Sequence, residues 1–340
     1  MSQGPPYRPS SWSLGGTPEV RVDIPITAVF LALFIGGAVT HMSIFQMNKR
    51  RGHKFLFNAL LFGFCMARIT TTILRIASVS KSQNIRLAIA AQIFVAAGVL
   101  LIFIINLLWS QRIVRSLHPR FGWHPAFSTA FKVVYVLIGL TLAIIITATV
   151  QSFYTLRPST RTTDRDLQLY GTTFLTIISF LPIPMTLLAF AVPRGSDPDN
   201  FGQGQLRTKV AILMTGATLL CLGAAFRCGT AWLKPVHMSQ PLPAYYSKAC
   251  FYVFNFLVEI LVVYFYAIMR VDLRFHIPNG AKGPGSYKAR STPNISKDDV
   301  EMPVETKGTQ EEDDGVRPSK DGSDATGGAT LIAGPEEKAT

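Results

Sequence analysis

The sequence predicts an all-α protein, a polytopic membrane bundle of seven transmembrane helices with its N-terminus outside, its C-terminus cytoplasmic and a disordered C-terminal tail. Three observations predict it. Hydrophobic residues make up 49% of the 340 and charged residues only 16%, for a mean hydropathy of +0.30. The apolar residues gather into seven long blocks, and Lys and Arg collect in alternate connections between them.

A bilayer core about 30 Å thick is crossed by roughly 20 apolar residues as helix, since hydrocarbon leaves every backbone N–H and C=O to be satisfied within the segment. The stretches 24–46, 55–78, 87–109, 130–152, 170–191, 208–230 and 248–269 meet that length. They form one domain over residues 24–274, between an extracellular N-terminal segment (1–23) and a cytoplasmic tail (275–340). The first 23 residues are rich in Ser, Gly and Pro and lack a basic region ahead of a short apolar core. No cleavable signal peptide is read there, and helix 1 serves as its own targeting signal.

Cytoplasmic loops keep positive charge, which sets the orientation. Lys49, Arg50, Arg51 and Lys54 follow helix 1; Arg112, Arg115, Arg120 and Lys132 follow helix 3; Arg194, Arg207 and Lys209 follow helix 5. These are eleven basic residues against nine on the opposite side, and Arg270, Arg274, Lys282, Lys288 and Arg290 after helix 7 widen the margin. The net charge of +13 divides into +17 over residues 1–274 and −4 over 275–340. Basic loops beside an anionic inner leaflet explain the first figure, so no nucleic-acid partner is implied and the membrane's own lipids are the partner. Plasma membrane is the default location, with an internal membrane the alternative.

The tail opens with Pro278, Gly280 and Pro284 and continues as a Ser, Thr, Gly, Asp and Glu mixture that cannot bury enough surface to offset its ordering entropy. Disorder is expected from about residue 289, with the Asn294 sequon unused on the cytoplasmic side. Cys65, Cys221, Cys228 and Cys250 fall in or beside helices without metal-site spacing and read as small packing residues.

Ionisable residues at membrane depth are costly and normally face the bundle interior. Arg68 and Arg75 lie seven residues apart on one face of helix 2, with Thr71 and Thr72 between them. On helix 7, Asn255 and Glu259 are four apart, and Tyr252 extends the stripe. Counting 1.5 Å per residue puts Arg68 roughly 15 Å, and Glu259 roughly 16 Å, below the outer ends of their helices. An Arg68 to Glu259 ion pair between helices 2 and 7 follows, since neither charge tolerates that depth alone, and Glu259 reads as the only acid buried there. Arg75 and Arg227 lie a turn or so from the outer ends of their helices and can snorkel to headgroups. Alternatively, three arginines against one glutamate leave positive charge in the outer half of the bundle, suited to an anionic ligand. Arg68, Arg75, Arg227, Asn255 and Glu259 are therefore the candidate ligand-binding residues, and the pair is either a structural core or a switching element.

Pro182 and Pro184 in helix 5 remove two ladder donors and predict a kink, a static one or a hinge. Asn58, Gln92, Asn106 and Gln151 read as interhelical hydrogen-bonding groups. The loop 111–125 alternates basic and aromatic residues and is expected against the inner leaflet, with a cytoplasmic effector possible there but not required.

No glycine-rich phosphate loop, no His-Glu-x-x-His and no Gly-x-Ser-x-Gly occurs, and the six histidines are scattered. No catalytic residue, metal or cofactor is assigned, and the chain reads as no enzyme. Helix 7 lacks the internal lysine of a retinal protein. Gln111-Arg112-Ile113 and Asn255-Phe256-Leu257-Val258-Glu259 stand where rhodopsin-like receptors carry Asp-Arg-Tyr and Asn-Pro-x-x-Tyr.

The runs LLFGFCMAR (60–68), DRDLQLYG (164–171), KACFYVFNF (248–256) and RVDLRFHIPNG (270–280) resemble an uncharacterised family of filamentous-fungal membrane proteins over residues 24–288. That resemblance implies the fold and a fungal source and supplies no mechanism. In helix count and orientation alone the chain is similar to the Rta-like lipid-translocating exporters and the Pth-type fungal receptors. The expected activities are transport or handling of a lipid or anionic amphiphile, a seven-helix sensor signalling through its basic loops and tail, or a ligand-free structural membrane protein.

Overall fold

The computed structural model describes residues 4–52, 55–193, 199–278 and 280–287, all within one compact unit, Met1–Arg290. Lys54, Arg194, the tail expected to be disordered and its Asn294 sequon lie outside the described residues. Among the described residues, seven spans are long and apolar enough to cross a bilayer. They are α1 (Val20–Arg50), α2 (Leu56–Ser80), α3 with α4 (Ile85–Gly98 and Leu100–Leu117), α6 (Pro125–Tyr154), α7 with α8 (Pro158–Phe180 and Pro182–Ala191), α9 (Leu206–Trp232), and a composite seventh span, Lys248–Ile268. A short α5 (Pro119–Gly122) links the third and fourth spans. Among the described residues there is no strand, only an antiparallel bridge between Ser11 and His237. With an odd number of spans, the two ends of the bundle are distinct: the N-face, where α1 begins, and the C-face, where the seventh span ends.

Several helices extend past the apolar blocks, because hydropathy marks only the part that lipid touches. Proline at N1 starts both α6 and α7 without sacrificing a needed donor, and α7 begins a dozen residues ahead of the block expected at 170. At the N-terminus α1 begins at Val20, not at 24, and so takes Asp23 into the first turn of the bundle.

Three spans are interrupted. The fifth breaks at Leu181, where Pro182 and Pro184 remove two donors, and the Thr186 hydroxyl donates to the Pro182 carbonyl at 2.7 Å. The third breaks at Val99 with no proline. The seventh runs α10 (Lys248–Tyr252), a π-helical turn (Val253–Leu257) and α11 (Val258–Ile268).

The third span is the centre of packing. Ile102, Ile105, Leu107, Trp109 and Ile113 are fully buried, while Val29, Val39, Val136, Leu140 and Ile268 point outward, as suits a surface solvated by lipid. Asn106 accepts a hydrogen bond from the Tyr266 hydroxyl at 2.6 Å, whereas Gln92 and Gln151 are exposed and do not bridge helices as expected.

The C-face is closed by the chain that follows α11. Arg270 ends the span in the left-handed region (φ 47°) and, with Asn48, holds the buried Asp272 of α12 (Val271–Arg274) at 3.0 and 2.9 Å. Phe275 stacks on Trp109 at 4.4 Å between ring centroids, and Tyr287 packs edge-on against Trp123 and Phe201. Arg112 donates to the Phe275 carbonyl at 2.5 Å, and Arg115 donates to the Gly122 carbonyl at 3.0 Å with its guanidinium over the Trp123 ring. These two arginines, expected against the leaflet, are turned inward because buried carbonyls and aromatic rings compete for them.

Candidate functional site

The polar face of α2 passes through the middle of the bundle. Arg68 is fully buried, and its backbone carbonyl accepts from the Thr72 hydroxyl at 3.0 Å. Its guanidinium meets Glu259 twice, Nε to Oε2 and Nη2 to Oε1, each at 2.5 Å. Its remaining nitrogen donates to the Val95 carbonyl at 3.0 Å. An unbroken helix would spend that carbonyl on the Val99 N–H, so the break at Val99 supplies the acceptor that Arg68 takes. Gly98 lets the guanidinium approach: a Cβ there would stand 3.4 Å from Arg68 Cζ. The structure therefore joins Arg68 and Glu259 in a closed, dry contact with exposures of 0 and 2%.

Arg227 of α9 shares the same carboxylate from the other side, more loosely, at 3.6 Å. It also reaches the Phe254 carbonyl and the Asn255 side chain, each at 3.4 Å, and so touches the π-helical turn. Asn255 donates in turn to the Phe251 carbonyl at 2.8 Å. Gly223 permits this close crossing, since a Cβ there would sit 2.8 Å from the Phe254 carbonyl oxygen.

About two turns along α2 from Arg68 toward the N-face, Arg75 lies over the Phe251 ring at 4.4 Å and 3.4 Å from Asp23. Asp23, in the first turn of α1, is fully buried too, so Glu259 is not the only buried acid behind the arginines. Its carboxylate is nearly saturated: Lys248 donates at 2.5 Å, the Tyr252 hydroxyl at 2.7 Å and the Glu19 N–H at 2.7 Å. Tyr252 thus turns toward α1, away from the stripe expected with Asn255 and Glu259. Asp23 and Lys248 both sit at helix starts, Asp23 just ahead of the apolar block that begins at 24 and Lys248 at the first position of the block 248–269, so neither reads as a residue at membrane depth. An acid in the first turn of an apolar helix is the signal that marks such a residue.

Arg75, Arg227 and Asn255 line a cavity of about 580 Å³ at the N-face end of the bundle. Its upper wall carries Ser78, Ser82, Gln92 and Arg8; its floor is Val99, Phe103, Ile145, Leu175 and Ala224. No carboxylate lines it among the described residues. Arg68 does not reach it. The N-terminal segment and the loop before α10 cover the mouth as one piece: the Trp12 N–H donates to the Val236 carbonyl at 2.8 Å, and the Met238 N–H to the Ser10 carbonyl at 3.0 Å. The Tyr7 N–H donates to the Phe153 carbonyl at 2.7 Å, and Arg8 to Gln83 at 2.6 Å, fastening the cover across the bundle.

Fold and site together define an integral membrane protein, a seven-helix bundle with a basic cavity at one face. Residues 202–276, which hold the last two spans with Arg227, Asn255 and Glu259, match the family described as Protein of unknown function (DUF3112). Comparison with curated proteins and with solved structures gave no match.

Proposed function

We propose that this protein binds a lipid or other anionic amphiphile in its N-face cavity and handles or transports it across or within the membrane, without covalent chemistry. On this reading the N-face is the extracytoplasmic side of a fungal plasma membrane. The observation that carries it is the cavity's charge: three arginines and no carboxylate above an apolar floor, in a volume typical of small-molecule sites. Arg68 belongs to the scaffold of the site, while Arg75 and Arg227 keep 15 and 19% of their side chains open.

A sensor is the second reading, favoured by one observation: Arg227 connects the cavity to the π-helical turn of the seventh span, and such turns often accompany functional sites. In that case the ligand shifts the seventh span, and the closed C-face with its basic loops passes the change to a cytoplasmic effector.

The test is thermal stability of the detergent-purified protein against a panel of anionic, neutral and cationic amphiphiles. A ligand of the folded state raises the melting temperature by mass action. Anionic amphiphiles alone should stabilise, and Arg75→Ala or Arg227→Ala should abolish the response. A panel with no effect on the wild type removes the ligand-binding reading. Flux of a stabilising ligand into proteoliposomes then separates transport from sensing.

A further inference from the structure

We propose that the cavity selects a single-chain amphiphile with a phosphomonoester head, a dianion, over one with a carboxylate or a diester. This rests on the binding reading above and narrows it to a ligand class.

The reason lies in how the two buried acids behind the cavity, Glu259 and Asp23, are shared. Glu259 is met by Arg68 at 2.5 Å and by Arg227 only at 3.6 Å. Asp23 is met by Lys248 at 2.5 Å and by Arg75 only at 3.4 Å. Each carboxylate has one tight cation and one loose one, and in both cases the loose one lines the cavity. Glu19, the other acid near Lys248, is 56% exposed, and its charge is spent in water. Besides the exposed Arg8 at the rim, two positive charges are thus left facing one space. A carboxylate or phosphodiester, at one negative charge, answers one of them; a phosphomonoester carries about −1.5 to −2 at pH 7 and answers both.

The spacing also fits one head. Arg75 rests over Phe251, and Arg227 contacts Asn255, four residues further along the same span. That separation is about 6 Å of helix rise. A phosphate with three peripheral oxygens accepts from guanidiniums on two adjacent turns, where a planar carboxylate is best matched to a single fork. Below the arginines the lining turns apolar through Val99, Phe103 and Leu175, which places the chain toward the bundle centre. At about 580 Å³ the cavity has the size of a site for one drug-sized molecule. A choline or ethanolamine head would bring its own cation against Arg8, Arg75 and Arg227.

The experiment is calorimetric titration of the full chain in an uncharged maltoside, at several pH values between 5 and 8. The probes are a 1-acyl glycerol 3-phosphate, the fatty acid of the same chain, its choline phosphodiester, and inorganic phosphate. The phosphomonoester should bind the wild type at least about tenfold tighter than the fatty acid at pH 7.5. That advantage should shrink as pH falls through the second phosphate pKa near 6. The groups facing the head are Arg8, Arg75 and Arg227, with Lys248, Asp23, Glu259 and Tyr252 behind them. His237 stands beside the cavity-lining Met238, and the fatty acid controls for any pH-dependent change in the protein itself, because such a change moves both probes together. Arg75→Gln or Arg227→Gln should reduce the preference to that between two monoanions, while the wild-type pH series needs no variant to fold. Equal affinity for fatty acid and phosphomonoester overturns this proposal and leaves the anionic-amphiphile reading standing. Binding of inorganic phosphate as tight as that of the acylated probe overturns the amphiphile part of it. No binding of any probe overturns both.

Discussion

Glu259 holds Arg68 at 2.5 Å and Arg227 at 3.6 Å, so one buried carboxylate divides two arginines into a fixed one and a loose one. Removing one partner of a buried pair strands the other charge in a low-dielectric interior, at a cost of about 3–5 kcal/mol. Arg68→Met and Glu259→Gln should each lower stability in detergent by that order. Glu259→Gln should be the worse, since it leaves two guanidiniums facing each other. Arg227→Gln should cost less than either, because Arg227 is partly open and Glu259 keeps its two contacts to Arg68. Chemical denaturation of the three variants in one detergent checks the ranking; an Arg227→Gln loss equal to that of Arg68→Met contradicts the division.

Two glycines of α9 should respond to the same substitution with opposite sign. At Gly216 a Cβ would press on the Tyr266 ring, 2.6 Å from Cζ, and Tyr266 is held in place by its hydrogen bond to Asn106. Gly216→Ala should destabilise by about 1–3 kcal/mol through overpacking. At Gly229 nothing lies within 4 Å of the added carbon. Gly229→Ala should stabilise by about 0.5–1 kcal/mol, through the lower entropy of the unfolded chain. Melting curves of the two variants against wild type test both signs at once.

Asp272 gives the C-face a pH limit. Burial pushes its carboxyl up, but hydrogen bonds from Arg270 and Asn48 outweigh this and hold it below its ordinary value of 3.8. A carboxylate depressed on folding contributes stability that is fully present above its unfolded pKa and is lost as pH falls through the folded one. Wild type should therefore lose stability steeply below about pH 4, and Asp272→Asn should be less stable at neutral pH with a flatter acid limb. Melting temperature between pH 3 and 7 for both proteins measures the difference; parallel curves would assign the acid limb to other carboxylates.

Much of this architecture was legible because lipid imposes a simple rule on sequence. Seven apolar blocks fixed the spans, counting 1.5 Å per residue put Arg68 and Glu259 at one depth, and Pro182 and Pro184 marked the break at Leu181. What stayed hidden has no signature in hydropathy. The break at Val99 and the π-helical turn at Val253–Leu257 occur in ordinary apolar sequence, and both arise where arginines take backbone carbonyls. The cover over the cavity is drawn from residues 4–18, whose Ser, Gly and Pro content reads as unstructured until their backbone meets the loop at Val236. Asp23 escaped because α1 begins ahead of its apolar block, so half of the cavity's charge balance was out of view.

Asp23 offers the sharpest separation of stability from binding. Its carboxylate restrains Arg75 at 3.4 Å while Lys248 holds it at 2.5 Å. In Asp23→Asn Arg75 loses its counter-ion and Lys248 keeps only the exposed Glu19 at 3.5 Å, so the ligand-free protein should melt at a lower temperature. The freed Arg75 then faces the cavity with no internal competitor, and an anionic amphiphile should bind more tightly than to wild type. At saturating ligand, each tenfold gain in affinity adds about 1.4 kcal/mol to the stability of the complex. The variant should therefore show a lower starting temperature and a larger upward shift in the same ligand titration. A shift that shrinks together with the starting temperature would mean that Asp23 positions Arg75 for the ligand, in which case Asp23→Glu, which keeps the charge, should restore the response and Asp23→Asn should not.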